Sequence, residues 1–409
     1  MGEGRLIQLL VLGMATAGAN YSQGIVSPLQ EAIRAALLLS DNQLALLQGL
    51  AMAVPIAIIG IPVGRLVDRS SRVRILRVFA LVAVIGTAAT AAAANFTQLF
   101  LSRCLSGLVA PATAMVAVSL IADLFGPSER GRALMVLGIC QVAGLAGAFA
   151  LGGLVLSIAG KEHWRAAVLG SAVPLILVLT LTLCAREPRR TDLREYVENT
   201  RGALGLLWGY RTVIMPLLAG VVLVGLVDTA SVIWATPVFS RQFGAGPERI
   251  GSIVGGGLMM AGIVGPLVGG ALADFAQRNQ GPQLTLTLLS GLAALSAIAG
   301  LFPLMPSVLW AGLLLALFMT IGTAISITGA PLATILIPNE IRGLYVSVVT
   351  AVSAPICLGA SPLIVSELSA ALGGPGRIGA ALGTVCVTAS MVGACVFWRA
   401  RLRVPVPTN

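Results

Sequence analysis

Apolar residues run along this chain in long, nearly unbroken stretches separated by short polar loops. A bilayer-spanning helix needs about 20 mainly apolar residues. Twelve stretches meet that length, at 6–30, 43–63, 75–95, 98–122, 133–158, 166–185, 213–238, 250–273, 283–304, 308–336, 344–366 and 378–398. They take up most of the chain and predict an all-α membrane protein with twelve transmembrane helices. The longest polar stretch, 186–211, divides six spans from six. It predicts an N-terminal half over 1–185, a cytoplasmic linker over 186–211 and a C-terminal half over 212–409. Within the linker, Gly202 to Tyr210 is apolar with aromatic ends and is expected to lie along the membrane surface. Ser40-Asp41-Asn42-Gln43, ahead of the second span, predicts a capping box in which Gln43 reaches back to Ser40.

Composition narrows the class. The 409 residues are 57% hydrophobic and 10% charged, too few charges to cover a soluble protein of this size. The formal net charge of +10 has a topological origin. With the N-terminus inside, 19 arginines fall on inner loops and six Lys or Arg on outer ones. This is the positive-inside asymmetry. It predicts a multi-pass protein of a bacterial-type inner membrane with both termini cytoplasmic, and it removes the case for a nucleic-acid partner. Cysteines 104, 140, 184, 357, 386 and 395 lie in or beside apolar spans without disulfide or metal spacing, and read as small packing residues. Ala15-Thr16-Ala17 is a weak match to a signal-peptidase site, but the apolar run continues past it and predicts a retained helix. No cofactor or metal site is expected.

An internal repeat supports the division. Gly64-Arg-Leu-Val-Asp68 follows the second span and Gly270-Ala-Leu-Ala-Asp274 follows the eighth. Pro127-Ser-Glu129-Arg130-Gly131 follows the fourth span and Pro338-Asn-Glu340-Ile-Arg342-Gly343 follows the tenth. Matching loops in both halves imply pseudo-symmetric six-helix bundles with a substrate path at their interface, as in many secondary transporters.

The stretch Gly64-Arg-Leu-Val-Asp68-Arg69-Ser-Ser71-Arg72-Val73-Arg74 resembles the loop between helices 2 and 3 of the major facilitator superfamily, G-x-L-a-D-R-x-G-R-[RK]. Arg65, Ser71 and Val73 depart from that pattern. The resemblance covers the whole chain and implies a cytoplasmic gate built from Gly64, Asp68, Arg69 and Arg72. It also implies Asp123, at the inner end of helix 4, as the acidic partner of Arg72. The repeated loop positions Asp274, Glu129, Arg130, Glu340 and Arg342 complete the expected gate. Physically, Gly64 permits close packing, Asp68 suits the positive end of a helix, and Arg72 sits one turn from Asp68.

Two charges lie deep in the spans. Arg103, in Arg103-Cys-Leu-Ser-Gly107, resembles the superfamily's helix-4 pattern R-x-x-x-G. Asp228 lies near the middle of the seventh span. Intramembrane ionisable residues are costly and mark solute or proton paths by default. Arg103 therefore reads as a binder of an organic anion or a partner of Asp228. Asp228 reads as a proton carrier, a partner of Arg103 or a site for a cation. Asn20, Tyr21, Gln23, Gln141 and Trp234 are further substrate or coupling candidates, with Glu367 beside them. The helix-5 row Gly144, Gly147, Gly152 and Gly153 reads as close helix packing. Drug/proton antiporters of the superfamily carry a proline where this chain has Ala148.

Within the superfamily, Trp234-Ala-Thr-Pro237-Val-Phe-Ser-Arg241-Gln-Phe-Gly244 and Leu39-Ser40-Asp41-Asn-Gln43 resemble spinster-like and anion:cation-symporter-like members. Spinster-like proteins tend to carry an Asp-Arg pair where this chain has Ser22-Gln23, and a glutamate where it has Ala110. Proton coupling would then fall to Asp228. No P-loop is present. The sole histidine, His163, lacks a catalytic setting, so no enzyme is expected. The sequence thus predicts a monomeric secondary transporter of an organic anion or amphiphile, with membrane lipid and a coupling proton as partners. A drug or lipid exporter, or a sensor that kept the fold, are the alternatives.

Overall fold

The structure is a computed structural model; residues 3–188, 208–209, 211–337 and 339–403 are described. All regular secondary structure among them is helical. This is the form in which a chain in hydrocarbon satisfies its own backbone. The long helices of the first half are α1 (Glu3–Gly24), α2 (Asp41–Ala45, Leu46–Leu50 and Ala51–Arg69), α3 (Arg72–Ala92), α4 (Phe96–Leu124), α5 (Pro127–Ala159) and α6 (Lys161–Thr182), of which α3 to α6 are each long and apolar enough to cross a membrane. In the second half they are α7 (Arg211–Arg241), α8 (Pro247–Asn279), α9 (Pro282–Ala299), α10 (Val308–Leu336), α11 (Asn339–Ser353, Ala354–Ala360 and Ser361–Ala371) and α12 (Ile378–Arg401).

Two predicted spans are interrupted, and proline explains both. α1 ends at Gly24, and the chain resumes as a separate helix, Val26–Leu37. Pro28 has no N–H to offer the Gly24 carbonyl. α6 breaks between Gly170 and Val173, where Pro174 cannot bond the Gly170 carbonyl. The predicted capping box is present: the Gln43 N–H donates to Ser40 Oγ at 3.2 Å, and the Ser40 N–H to Gln43 Oε1 at 2.9 Å. Two helices contain a π turn, Leu46–Leu50 in α2 and Ala354–Ala360 in α11. Such turns recur at functional sites.

The chain divides into two compact units. One comprises Met1–Arg194 with Phe239–Met259, the other Glu195–Val238 with Met260–Asn409. The first therefore takes in the last turn of α7 and the first half of α8, a segment the sequence assigns to the C-terminal half. Glycine makes that packing close. A Cβ on Gly153 of α5 would overlap the Pro247 carbonyl and approach the Gly251 Cα at 3.1 Å. One on Gly255 would lie 2.8 Å from the Ala146 carbonyl. Gly144 likewise sits directly on the Ala17 backbone of α1. Part of the helix-5 glycine row thus serves backbone-to-backbone packing. In the second unit, Gly265 and Gly269 of α8 seat α10 in the same way, with Cβ positions 2.6 Å from Thr323 and 2.7 Å from the Ala324 carbonyl.

Candidate functional site

Arg103 lies inside the first unit, 1% exposed. Its Nη2 donates to the Gln23 carbonyl at 2.8 Å and to Gln48 Oε1 at 3.3 Å, while Nε is enclosed without a partner. Gln48 sits in the α2 π turn and donates to Ser27 Oγ at 3.2 Å and Gln30 Oε1 at 3.1 Å. A guanidinium therefore rests on amides and a carbonyl, with no carboxylate beside it among the described residues. Removing a cation from water costs several kcal/mol, and neutral dipoles recover only part of that. The arrangement retains its attraction for an anion.

Asp228 occupies the corresponding niche of the second unit. Its carboxylate lies against Gly322 of α10, where a Cβ would come within 2.6 Å of Oδ2 and 2.8 Å of Cγ. Only glycine leaves room for it. Oδ1 is enclosed without a hydrogen-bond partner, and no basic side chain pairs with the carboxylate among the described residues. Cys357 and Cys386 are its electrostatic neighbours. Cys357 belongs to the α11 π turn and donates to the Val222 carbonyl at 3.4 Å. At both Arg103 and Asp228, a π turn delivers a polar or polarisable side chain beside the buried charge.

At the α2–α3 loop, Arg72 is buried between two acids. Nη1 bonds Asp123 and also Ser119 Oγ and carbonyl, both at 3.2 Å. Nε donates to Glu187 Oε1 at 3.0 Å. The structure thus brings Arg72 and Asp123 together and adds Glu187, which sequence reasoning left in the linker. Glu187 also accepts from the Val73 N–H and the Ser71 hydroxyl, each at 2.8 Å. Ser71 in turn caps α3 by accepting from the Arg74 N–H at 3.3 Å. The signal for Glu187 was its place just past a span, opposite a helix N-terminus rich in arginine.

Burial alone would raise the Glu187 carboxyl. The Val73 N–H, Ser71 hydroxyl and Arg72 outweigh it and hold the group below the usual glutamate range. Its stabilisation is therefore present above the unfolded-state value and is lost as pH falls through the lower folded one. Glu187→Gln should lower the melting temperature at neutral pH, with the gap to the parent closing under acid. A gap constant with pH would show that the carboxylate charge does not matter.

The other gate candidates are separate. Arg130 closes the end of α4, donating to the carbonyls of Ala122 at 2.6 Å and Phe125 at 3.1 Å. Glu129 makes a loose, exposed contact to Arg5 at 3.7 Å. Asp274 is exposed. No described atom lies within 4 Å of where a Cβ on Gly64 would be. The side chains of Asp68, Arg69, Glu340 and Arg342 lie outside the described residues, as does most of the 202–210 segment.

Of the remaining substrate candidates, Tyr21 is buried. Trp234 is 1% exposed and donates from Nε1 to the Pro362 carbonyl at 3.1 Å, binding α7 to α11. Asn20 donates to the Thr16 carbonyl of its own helix at 3.0 Å. Gln23 contributes its carbonyl to Arg103, while Gln141 and Gln23 are part-exposed.

A second heavily bonded arginine was not among the sequence candidates. At the end of the first unit opposite the α2–α3 loop, Arg241 is clamped by two carboxylates. Nε and Nη2 donate to Glu31 at 3.0 and 2.6 Å; Nη1 and Nη2 donate to Asp41 at 2.8 and 2.7 Å. The Ser40 cap fixes Asp41 at the first turn of α2. The available signal was composition: Glu31 and Asp41 are the only acids between residues 4 and 67.

Comparison with known proteins places this geometry. Solute carrier family 2, facilitated glucose transporter member 8, from Mus musculus is 28% identical over 191 residues, 46% of this chain and 38% of that protein. The Bos taurus protein of that name is 32% identical over 152 residues, 37% of this chain and 30% of that one. The chain thus aligns with well under half of either relative. Among solved structures, a bacterial homolog to the human lysosomal transporter Spinster, inward-facing and unoccupied, superposes with a TM-score of 0.80 at 20% identity, covering 98% of both chains. A point mutant of the nucleoside transporter NupG gives 0.77 at 12% identity, covering 96% of this chain and 99% of that one. The D-xylose-proton symporter gives 0.69 at 17%, covering 95% and 97%. The family model of the Major Facilitator Superfamily matches residues 10–362, and this multi-pass membrane protein belongs to that superfamily of solute transporters.

Proposed function

We propose that the chain moves a small organic anion or anionic amphiphile across a bacterial-type inner membrane by alternating access, with proton coupling through Asp228. The observation that carries this reading is the enclosed Arg103, which among the described residues has amide and carbonyl partners but no carboxylate. A solute anion supplies the missing charge. Asp228, unpartnered at Oδ1, is the acid available to carry a proton. The likeness to a D-xylose-proton symporter agrees with a proton as coupling ion. The interior hydroxyls of Thr16, Thr87, Thr320, Thr323 and Ser326 bond carbonyls of their own helices, whereas those of Thr236, Ser353 and Ser361 are enclosed without a partner, so the reading rests on Arg103 and not on a shortage of hydroxyl donors. The arginine-rich loops support cytoplasmic termini, and one chain supplies the whole path as a monomer.

The test is a thermal-shift screen of metabolite and lipid libraries, followed by liposome flux with the hits. Anions should stabilise the parent, and a shift unchanged in Arg103→Ala would sink the anion reading. Asp228→Asn should abolish proton-driven accumulation while exchange of labelled for unlabelled solute persists. Retained pH dependence would remove Asp228 as the proton carrier. Binding without flux of any ligand would favour a sensor.

A further inference from the structure

We propose that the first unit carries a pocket for the phosphate of an anionic phospholipid, held between Arg5 and Arg186. A cavity of about 600 Å³ opens where the start of α1, the end of α4 and the segment after α6 converge. Arg5 and Arg186 supply its cations; Ile7, Leu124 and Leu183 supply apolar wall.

The pocket is built, not a gap beside a loose loop. Gln8 Nε2 donates to the Cys184 carbonyl at 3.3 Å, and the Arg186 N–H donates to Gln8 Oε1 at 3.0 Å. Arg77 binds the carbonyls of Thr182 and Leu183 at 3.2 Å and Ala185 at 3.3 Å. These bonds pin the segment that presents Arg186.

Among the described residues, little competes with a ligand for the two arginines of the pocket. Glu187 lines the cavity, but its oxygens are spent on Arg72, Ser71 and Val73. The Arg186 guanidinium has no partner among the described residues. Arg5 has only the 3.7 Å contact to Glu129, with both side chains exposed. Two of the apolar lining side chains, Ile7 and Leu183, are exposed, and Leu183 directly follows a helix apolar enough to cross a membrane. A phosphate with acyl chains satisfies both features, since basic pockets between helices bind anionic headgroups while the chains lie along the apolar lip. A bound phosphate also holds Arg186 in place, and with it the neighbouring Glu187 that caps α3.

The proposal needs the membrane-spanning fold but not the identity of the transported solute, so its test uses lipid alone. Full-length protein in detergent is titrated with phosphatidylglycerol, phosphatidylcholine or glycerol 3-phosphate. Native mass spectrometry reads retained lipid, and melting temperature reads stabilisation. Phosphatidylglycerol should be retained and should raise the melting temperature; the other two should not. Arg5→Gln with Arg186→Gln should weaken phosphatidylglycerol about thirtyfold, and each single variant about fivefold. Arg132→Gln, an exposed arginine outside the pocket, should change nothing. The single variants serve if the double variant does not fold. An equal response to phosphatidylcholine, or undiminished binding in the arginine variants, would overturn the site. An equal response to glycerol 3-phosphate would make it a phosphate site and overturn the lipid. A response gained only after neutralising Asp192, Glu195 and Glu198 would mean that the linker's acids fill the pocket, and would also overturn it.

Discussion

Arg241→Gln will destabilise the protein by about 3 kcal/mol, the low end for removing one partner of a buried ion pair. Four charge-assisted bonds are lost. The larger cost is that Glu31 and Asp41, side chains 17% and 10% exposed, are left converging without a cation. Arg34, 3.5 Å from Glu31, can offset part of this on that side only. The cost should therefore fall mostly on Asp41. The triple variant Glu31→Gln, Asp41→Asn, Arg241→Gln removes the repulsion with the attraction and should recover most of the stability. A melting temperature that falls in the single variant and returns in the triple one would establish the clamp as a unit. The clamp also has a conformational consequence. It ties Phe239–Met259 to the first unit, and alternating access through this end requires that segment to come away. A cysteine placed at Gly246, where a Cβ meets open space, should react faster with an impermeant maleimide in Arg241→Gln than in the parent. Unchanged labelling would mean the glycine contacts at Gly153 and Gly255 hold the segment alone.

Hydropathy and the repeated loops were enough to read the helices and the superfamily, because both are local in sequence: an apolar run long enough to span, and a motif of spaced glycine and acid. The capping box was legible for the same reason. The helix breaks at Gly24 and Gly170 were equally local and were missed because apolar content outvoted Pro28 and Pro174. The clamp was not local. Arg241 lies 210 residues from Glu31 and 200 from Asp41, and nothing in their spacing pairs them. The same holds for Gly322, which reads as one more small residue until the Asp228 carboxylate is found against it. Glu187 fell to a boundary choice, since a polar residue just past a span looks like linker. Trp234, read from sequence as a substrate or coupling candidate, has its ring enclosed and its N–H bonded to the Pro362 carbonyl, a contact 128 residues away that no local pattern shows.

Arg103→Met is expected to separate stability from function. If the guanidinium were structural, its loss would be a net cost, since it links α4 to the Gln23 carbonyl and to the Gln48 network. The energetics point the other way. A buried cation without a carboxylate carries a desolvation penalty of several kcal/mol, and one enclosed donor, Nε, has no partner at all. Methionine fills much of the same volume without charge. The change removes the donor to the Gln23 carbonyl and to one acceptor face of Gln48, each at about 1–3 kcal/mol, while Gln48 keeps Ser27 and Gln30. The balance predicts a variant that melts at or above the parent's temperature and no longer transports. Arg103→Lys should keep the charge but lose the fork that reaches Gln23 and Gln48 together, and should transport slowly with a raised KM. A clear loss of melting temperature in Arg103→Met with flux retained would make Arg103 a structural residue. The loss of both together would leave Arg103→Lys to decide, by whether KM or only stability moves. A variant that melts at or above the parent's temperature and loses flux would mean that the cation is kept for its charge.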